Sequence, residues 1–441
     1  LHWNENKRHR FIMKNLQWVV LAILIMLIPL RSIAVEIIEI VHSTDFVEKV
    51  KRPETIYDIQ CEVNLENKVV ELPFKSVLRF NGGIIKNGTL IGKSTMLVNP
   101  TNLPVLEDVE IGTNPYQFIN DAIYVDWFVG DSDADRTQAA LDFARKNRNA
   151  IVFLSREYVF DHTVIIPMGQ IVLKGTGGGG EYQNLGTKIV TSPEFQSVYA
   201  GSPLFYVIGE TNKADQSLGL VSGRITGITF STDKRHDVFH FLLSGAPSRP
   251  LYIDYCSFQG CNVAIRLLDN GKSVELGFLY VEHCTMKNNK WNIVAHGEHS
   301  MMGLYFCKNV AEQCTGNINL GYSQTYSKAP FDNYAPKKQD YAASSNIVIS
   351  DNLLEGTVDC IYINGGKCIV NIERNYFESR QKQFIVLSFS NPHSTVTFQD
   401  NFISKSDDVF LHLRNCKYSL QNDFSAAFLK TTRATPIRHK Q

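Results

Sequence analysis

The sequence has no surplus of charge of either sign. Its 441 residues include 44 Lys and Arg and 44 Asp and Glu, so the formal net charge is zero. A protein that binds nucleic acid through phosphates needs a basic surface, and the balanced composition therefore argues against a nucleic-acid partner. Apolar residues make up 44% of the chain and aromatic residues 11%, which excludes a disordered or collagen-like chain.

Long apolar runs are also scarce. The run from Trp18 to Ile28 has 11 residues, whereas a membrane-spanning helix needs about 20. Four basic residues precede this run, and Ser32 and Ala34 supply the small side chains that a signal peptidase recognises. This three-part pattern predicts a secretory signal peptide over residues 1–34, with an uncleaved anchor as the alternative.

The predicted signal peptide sets the expected compartment. Met13 is the expected start of translation, which makes residues 1–12 upstream sequence. No cysteine lies near the cleavage site, so we expect no lipoprotein anchor, and no other segment is long and apolar enough to span a membrane. Removal of residues 1–34 leaves a charge of 39 − 43 = −4. We expect a secreted or periplasmic protein.

No pair of the nine cysteines has the CxxC spacing of a zinc ribbon. Three of them instead belong to a repeat of alternating apolar residues, then Asn or Cys, then a large apolar residue. The intervals between successive key positions are 28, 23, 45, 23 and 26 residues. The key positions are Cys256, Cys284, Cys307, Asn352, Asn375 and Asn401.

The repeat predicts a parallel β-solenoid, an all-β fold. A second short apolar segment follows each key position, so each coil has several strands, and like positions of successive coils form ladders about 4.8 Å apart. Buried Asn side chains can satisfy one another in such a column, and Cys fits there as a small apolar group. We therefore predict stacking of Cys256, Cys284 and Cys307, no metal ion and no cofactor. A disulfide between adjacent coils stays open.

The rest of the chain fits the same plan. Residues 35–120 form a β-rich region of short strands and glycine turns, either the first coils or a cap. Residues 134–146 predict a helix, capped by Asp131 or Asp133. The solenoid then extends over residues 121–430, and residues 431–441 form a C-terminal tail.

The stretch around this helix resembles the opening of the pectate lyase superfamily. The matching features are the Gly- and Asp-rich loop of residues 125–135, the helix, and the apolar strand of residues 151–154. Ser132 and Ser155 depart from the Gly and Pro usual in that family. The resemblance implies a right-handed, single-stranded parallel β-helix with a short capping helix, and it implies a polysaccharide or oligosaccharide ligand. The family includes lyases, hydrolases and phage tailspikes, but tailspikes do not carry a signal peptide.

In this family the ligand groove follows the strand after the Asn turn. Strand alternation points Ile265, Leu267, Ile293, Ile318, Ile361, Ile363 and Leu387 inward. It predicts two outward columns on the groove wall. The first contains Arg266, Val294, Asn319, Tyr362, Val386 and His412, with His240 as an extension. The second contains Leu268, His296, Gly321, Asn364, Ser388 and Arg414.

Neither column contains an Asp or Glu. A hydrolase needs two carboxyl groups, and the nearest are Asp351, Glu355 and Asp359. Arg, His, Tyr and Asn suit β-elimination from a uronate, because Arg can pair with the sugar carboxylate and His or Tyr can accept the adjacent proton.

We therefore predict three catalytic residues, Arg266, His296 and Tyr362. Asn319 and Asn364 would bind the developing charge, and Arg414 would also bind substrate. An insertion at residues 321–345 adds substrate-binding Tyr322, Tyr326 and Lys328, because long loops on rigid scaffolds often carry function. The alternatives are a glycoside hydrolase and a non-catalytic glycan-binding or adhesion solenoid. Nothing in the sequence indicates the oligomeric state.

Overall fold

A computed structural model describes most of residues 36–437. It excludes residues 102, 149–150, 168–171, 178–185, 197–202, 210–222, 244–249, 268–273, 296–298, 322–341, 357–358, 379–382, 405–408 and 422–428. The predicted signal peptide at residues 1–34 lies outside the described residues. Among the described residues, no helix has the length and apolarity needed to cross a membrane.

The N-terminal region consists of short parallel strands. The sheet β1–β2–β5–β7 and the strands β3, β4 and β8 around β6 form it. Hydrogen bonds from Val105 N to Trp127 O and from Val129 N to Leu106 O join its last strand to the segment that follows. The strands are β1 (Ile37–Ile40), β2 (Ile56–Ile59), β3 (Glu62–Asn64), β4 (Val69–Glu71), β5 (Val77–Phe80), β6 (Ile84–Ile91), β7 (Met96–Val98) and β8 (Leu106–Ile111).

Two helices are described. Helix α1 (Ser43–Lys49) was not predicted, and helix α2 (Asp133–Asn147) extends the predicted helix by one residue at each end. The predicted cap was wrong, because Ser132 is the N-cap and forms a reciprocal capping box with Asp135. A single 3₁₀ turn (Val125–Trp127) precedes α2. Gln138 on α2 hydrogen-bonds both the N–H and the C=O of Ile165. The helix thereby covers the open edge of the first strand in the third sheet, which is defined below.

The remaining strands form a right-handed parallel β-helix, so the predicted fold is confirmed. Each full coil contributes one strand to each of three parallel sheets. The first sheet contains β9 (Ala122–Tyr124), β10 (Ile151–Phe153), β13 (Val172–Lys174), β16 (Gly223–Thr226), β19 (Leu251–Asp254), β22 (Val274–Glu282), β25 (His299–Cys307), β28 (Ala342–Ser350), β31 (Ile369–Glu373), β34 (Thr395–Gln399), β37 (Lys417–Gln421) and β39 (Thr435–Pro436).

The second and third sheets complete each coil. The second contains β11 (Glu157–His162), β14 (Thr187–Gln196), β17 (Ile228–Ser231), β20 (Ser257–Gln259), β23 (Thr285–Lys287), β26 (Val310–Glu312), β29 (Leu353–Glu355), β32 (Tyr376–Glu378) and β35 (Phe402–Ile403). The third contains β12 (Val164–Pro167), β15 (Pro203–Gly209), β18 (Asp237–Leu243), β21 (Val263–Leu267), β24 (Trp291–Ala295), β27 (Gly316–Leu320), β30 (Asp359–Gly365), β33 (Gln383–Phe389), β36 (Val409–Arg414) and β38 (Leu429–Thr432).

The core runs along the axis between the three sheets. All seven residues predicted to point inward from the third sheet lie in the main hydrophobic core, whereas the outward residues Val294 and Tyr362 lie in a separate apolar cluster, which confirms the alternation on that sheet. Aromatic side chains stack between coils, with ring centroids 5.3 Å apart for both Phe205–Phe239 and Phe230–Phe258.

An asparagine ladder fixes the corner between the first and second sheets. The Oδ1 atom of Asn375 accepts hydrogen bonds from Asn352 N at 3.1 Å and from Asn352 Nδ2 at 2.8 Å. Asn352 Oδ1 accepts from Asn309 N, and Asn309 Oδ1 accepts from Cys284 N, both at 2.9 Å. The amide-to-amide bond between Asn352 and Asn375 was predicted from the repeat, whereas the bonds from each side chain to the backbone of the neighbouring coil were not.

The prediction that Cys307 belongs to this ladder was wrong. Asn309 occupies the ladder position of that coil, and Cys307 lies two residues earlier at the end of β25, opposite Ser350 of β28. Cys256 and Cys284 do occupy adjacent positions of the ladder column, because their following residues Ser257 and Thr285 are paired.

A corner residue in the left-handed backbone region immediately precedes each ladder position. The φ angles of these residues lie between 51° and 59°. The corner residues are Tyr255, His283, Lys308, Asp351, Arg374 and Asp400. Because this conformation is unfavourable for most residues other than Gly and Asn, the ladder bonds must hold each corner in place.

None of the nine cysteines forms a disulfide, and all except Cys61 are buried. Burial raises the pKa of Cys314 to about 11 and that of Cys416 to about 12, so both thiols stay protonated and unreactive at neutral pH. We expect at most one thiol, that of Cys61, to react with an aromatic disulfide reagent in the native protein at pH 8. All nine should react after denaturation in guanidinium. Rapid reaction of three or more native thiols would contradict this burial pattern.

Candidate functional site

The outward side chains of the third sheet form one continuous column in register. The strand pairing aligns one outward residue from each strand between β15 and β38. We call this set the outer column. It contains Tyr206, His240, Arg266, Val294, Asn319, Tyr362, Val386, His412 and Lys430. The alignment that the sequence predicted for the first column is therefore found in the structure.

The outer column is much less accessible than the open groove that the sequence suggested. The side chain of Arg266 is 12% exposed, and Tyr362 and Asn319 are 3% and 1% exposed. Tyr362 packs with Trp291, Val294 and neighbouring apolar residues in a second hydrophobic cluster, separate from the core. Alternation gives the direction of a side chain but not its exposure, and large side chains on adjacent strands bury one another.

A buried carboxylate that the sequence analysis missed contacts this column. Asp237 stands at the start of β18 and is fully buried. Its Oδ2 atom lies 2.6 Å from His240 Nε2 and 2.6 Å from Arg266 Nε, and its Oδ1 accepts from Asn262 Nδ2 at 2.6 Å. The spacing Asp-x-x-His in residues 237–240 is the sequence signal for this contact. We call Asp237, His240, Arg266 and Asn262 the Asp237 cluster.

The electrostatics of the Asp237 cluster favour a charged carboxylate. Burial alone raises the pKa of Asp237, but the hydrogen bond from His240 and the charge of Arg266 outweigh burial and hold this pKa below its usual range. Asp237 is therefore ionised at neutral pH. Among the described residues, His240 Nδ1 is buried without a hydrogen-bond partner.

The second predicted column is described only in part. Asn364, Ser388, Arg414 and Thr432 are paired in register, so the three predicted members in β30, β33 and β36 share one line. Asn364 is buried, and its Nδ2 donates to Gly321 O at 3.3 Å. Asn364 therefore contacts the residue at which the predicted insertion begins.

Several predicted site residues cannot be placed. His296, proposed as catalytic, and Tyr322, Tyr326 and Lys328, proposed to bind substrate, lie outside the described residues. So does most of the insertion at residues 321–345, since the description resumes with β28.

The carboxylates considered for hydrolysis occupy separate parts of the coil. Asp351 lies at the corner after β28, where Arg374 Nε and Nη2 bind it at 2.8 and 3.1 Å. Glu355 belongs to β29 in the second sheet, paired with Glu312 and Glu378. Asp359 begins β30 in the third sheet. The three therefore belong to different elements of the coil.

A tyrosine stack lies on the outside of the first sheet. The rings of Tyr252, Tyr280 and Tyr305 stack with centroids 4.7 and 4.6 Å apart and planes within 15° of each other. Arg224 on the preceding strand pairs with Asp254, with Nε 3.0 Å from Oδ2. Because each inner ring face is covered by the next ring, the stack offers mainly ring edges and hydroxyl groups to a ligand.

The fold and the register place the chain in the class of parallel β-helix proteins. The sequence matches no model of a known protein family and no curated protein. The class is therefore established by the strand pairing, and the resemblance to pectate lyases rests on the sequence motifs around α2.

Proposed function

We propose that this chain is an exported carbohydrate-active β-helix protein of the pectate lyase type, which cleaves an acidic polysaccharide by β-elimination. One observation carries the proposal: Arg266 and His240 lie on adjacent coils of the outer column, and no member of that column is a carboxylate. The two positively charged members of the column, Arg266 and Lys430, suit a polymer of negatively charged uronate units.

Arg266 has the chemistry required to bind a uronate carboxylate. Its guanidinium has five N–H donors, and its contact with Asp237 is made by Nε. The neighbouring polar residue Asn319 has an Oδ1 atom that is buried without a partner among the described residues. Buried acceptors of this kind are costly unless a ligand or water satisfies them, and sugar hydroxyl groups are suitable donors.

Hydrolysis is less well supported by this geometry. An inverting hydrolase needs two carboxyl groups about 6.5–9.5 Å apart, and the outer column itself has none, although Asp237 contacts it. Both of its oxygen atoms already accept hydrogen bonds from the Asp237 cluster, so it is poorly placed to act as a free acid or base.

A glycan-binding protein without turnover is the second candidate. The near-complete burial of the outer column favours it, because a catalytic groove has to admit its substrate. The tyrosine stack on the first sheet would then bind the glycan, in place of catalysis on the third sheet.

The test is an assay of the mature protein on a panel of uronate polysaccharides. We expect ultraviolet absorbance from the unsaturated product, and we expect Arg266→Lys to lower kcat/KM about tenfold or more because Lys cannot form a bidentate pair with a carboxylate. The matched control is Arg224→Lys, which alters an Arg–Asp pair on the first sheet and should leave activity unchanged.

Two other outcomes would contradict β-elimination, and a third would contradict the role of Arg266. New reducing ends without the absorbance would indicate hydrolysis. Binding of a glycan without any cleavage would indicate the non-catalytic protein. Equal losses for Arg266→Lys and Arg224→Lys would remove Arg266 from the site.

A further inference from the structure

The Asp237 cluster links two members of the outer column that stand on neighbouring coils. His240 pairs with Arg266 in the register, so their backbones are about 4.8 Å apart. A single Asp237 oxygen, Oδ2, lies 2.6 Å from both side chains. One carboxylate therefore sets the orientation of an imidazole and a guanidinium together.

This contact also sets the tautomer of His240. An ionised carboxylate can only accept hydrogen bonds, so His240 Nε2 must carry the hydrogen that it shares with Asp237. In the neutral ring, Nδ1 then carries a lone pair. Nδ1 is the ring atom that lacks a partner among the described residues, and His240 is buried. The carboxylate on one ring nitrogen thus orients the ring and leaves the other nitrogen as the acceptor.

We propose that His240 Nδ1 is the proton acceptor of the β-elimination and that Asp237 is its positioning residue. This inference rests on the proposed function. Arg266 binds the uronate carboxylate, and His240 Nδ1 takes the proton from the carbon next to that carboxylate. The electrons of the broken C–H bond form a carbon–carbon double bond as the bond to the glycosidic oxygen breaks. Water protonates the departing oxygen, and His240 returns its proton to water.

The assignment differs from the sequence prediction of His296 and Tyr362. Tyr362 lies three coils from Arg266 along the outer column, at a separation of about 14 Å, so both cannot contact one sugar ring. His240 lies on the coil adjacent to Arg266. Because His240 is buried, substrate reaches Nδ1 only by displacing the atoms that cover it.

The first test is the tautomer of His240. Nitrogen NMR of histidine-labelled protein, with His240→Gln to assign the signal, should show a neutral ring protonated at Nε2. Asp237→Asn should change this signal, while the control Asp254→Asn on the first sheet should not. A His240 protonated at Nδ1 would overturn the proposal whether or not the protein is active.

The second test is kinetic. His240→Gln should lower kcat about 100-fold or more with little change in KM, because it removes the acceptor and keeps a polar side chain of similar size. Asp237→Asn should also lower kcat per folded molecule, whereas a merely structural role would lower only the folded fraction. The folded fraction is measured by circular dichroism.

The outcomes separate this assignment from the function itself. If the wild-type protein forms no unsaturated product, the proposed function is wrong and the assignment falls with it. If the wild-type protein is active and His240→Gln keeps its kcat within about threefold, only the assignment is wrong.

Discussion

Replacement of Asp237 by Ala is expected to lower the free energy of unfolding by about 3–5 kcal/mol, because it leaves Arg266 and His240 buried without their shared carboxylate. Asp237 has no exposed surface, and the Arg266 side chain has little. Urea denaturation followed by tryptophan fluorescence, to which Trp291 in the apolar cluster of the third sheet contributes, would measure the change.

The matched control is Asp254→Ala. Asp254 pairs with Arg224 in a similar geometry, but half of the Arg224 side chain is exposed, so we expect a loss of about 0–1 kcal/mol. Equal losses for the two variants would show that the burial of the Asp237 cluster has no energetic consequence.

The contribution of Asp237 should depend on pH in a defined direction. Its pKa is lowered in the folded protein, so its stabilisation is fully present above the unfolded pKa of about 3.9. The stabilisation is lost as the pH falls through the folded pKa. The difference in stability between wild type and Asp237→Asn should therefore be constant near neutrality and shrink below about pH 4. A difference that grows on acidification would contradict this assignment of charge.

Replacement of Asn352 by Ala is expected to cost about 2–5 kcal/mol, because two buried backbone groups lose their partners. The Asn352 side chain accepts from Asn309 N and donates to Phe306 O at 2.8 Å. Urea denaturation would measure this loss.

The control for the ladder is Asn371→Ala. Asn371 lies in β31, in register with the outward residue Val348 of β28 and half-buried, so we expect a change of about 0.5 kcal/mol or less. A similarly small loss for Asn352→Ala would mean that the ladder bonds do not stabilise the coils.

The asparagine repeat made the fold predictable from the sequence. Regular spacing of Asn352, Asn375 and Asn401 identified the coils, and strand alternation then gave the inward residues of the third sheet. The same reasoning assigned Cys307 instead of Asn309 to the ladder. The two residues are two positions apart, and the repeat accepts either Cys or Asn after alternating apolar residues. The pattern alone could not decide between them.

The candidate site was less predictable. Alternation placed Arg266, Asn319 and Tyr362 in one column but could not show that Trp291 and Val294 would help to bury that column. Asp237 was missed because it is the first residue of its strand, where alternation is a poor guide. Its contact, His240, lies three residues later. Contacts between successive coils determine the burial of the column and the partners of Asp237. The number of residues that separates two contacting positions varies with the length of the connecting loops.

The left-handed corners limit how the surface of this solenoid can diversify. Each corner side chain lies beside the ladder, and none of the six is branched at Cβ. Valine, isoleucine and threonine are disfavoured in this conformation, whereas charged, aromatic and amide side chains are already present there. Related chains that keep the coil could therefore vary the charge and the hydrogen-bonding groups of these corner residues. Valine, isoleucine and threonine would be disfavoured at the same positions.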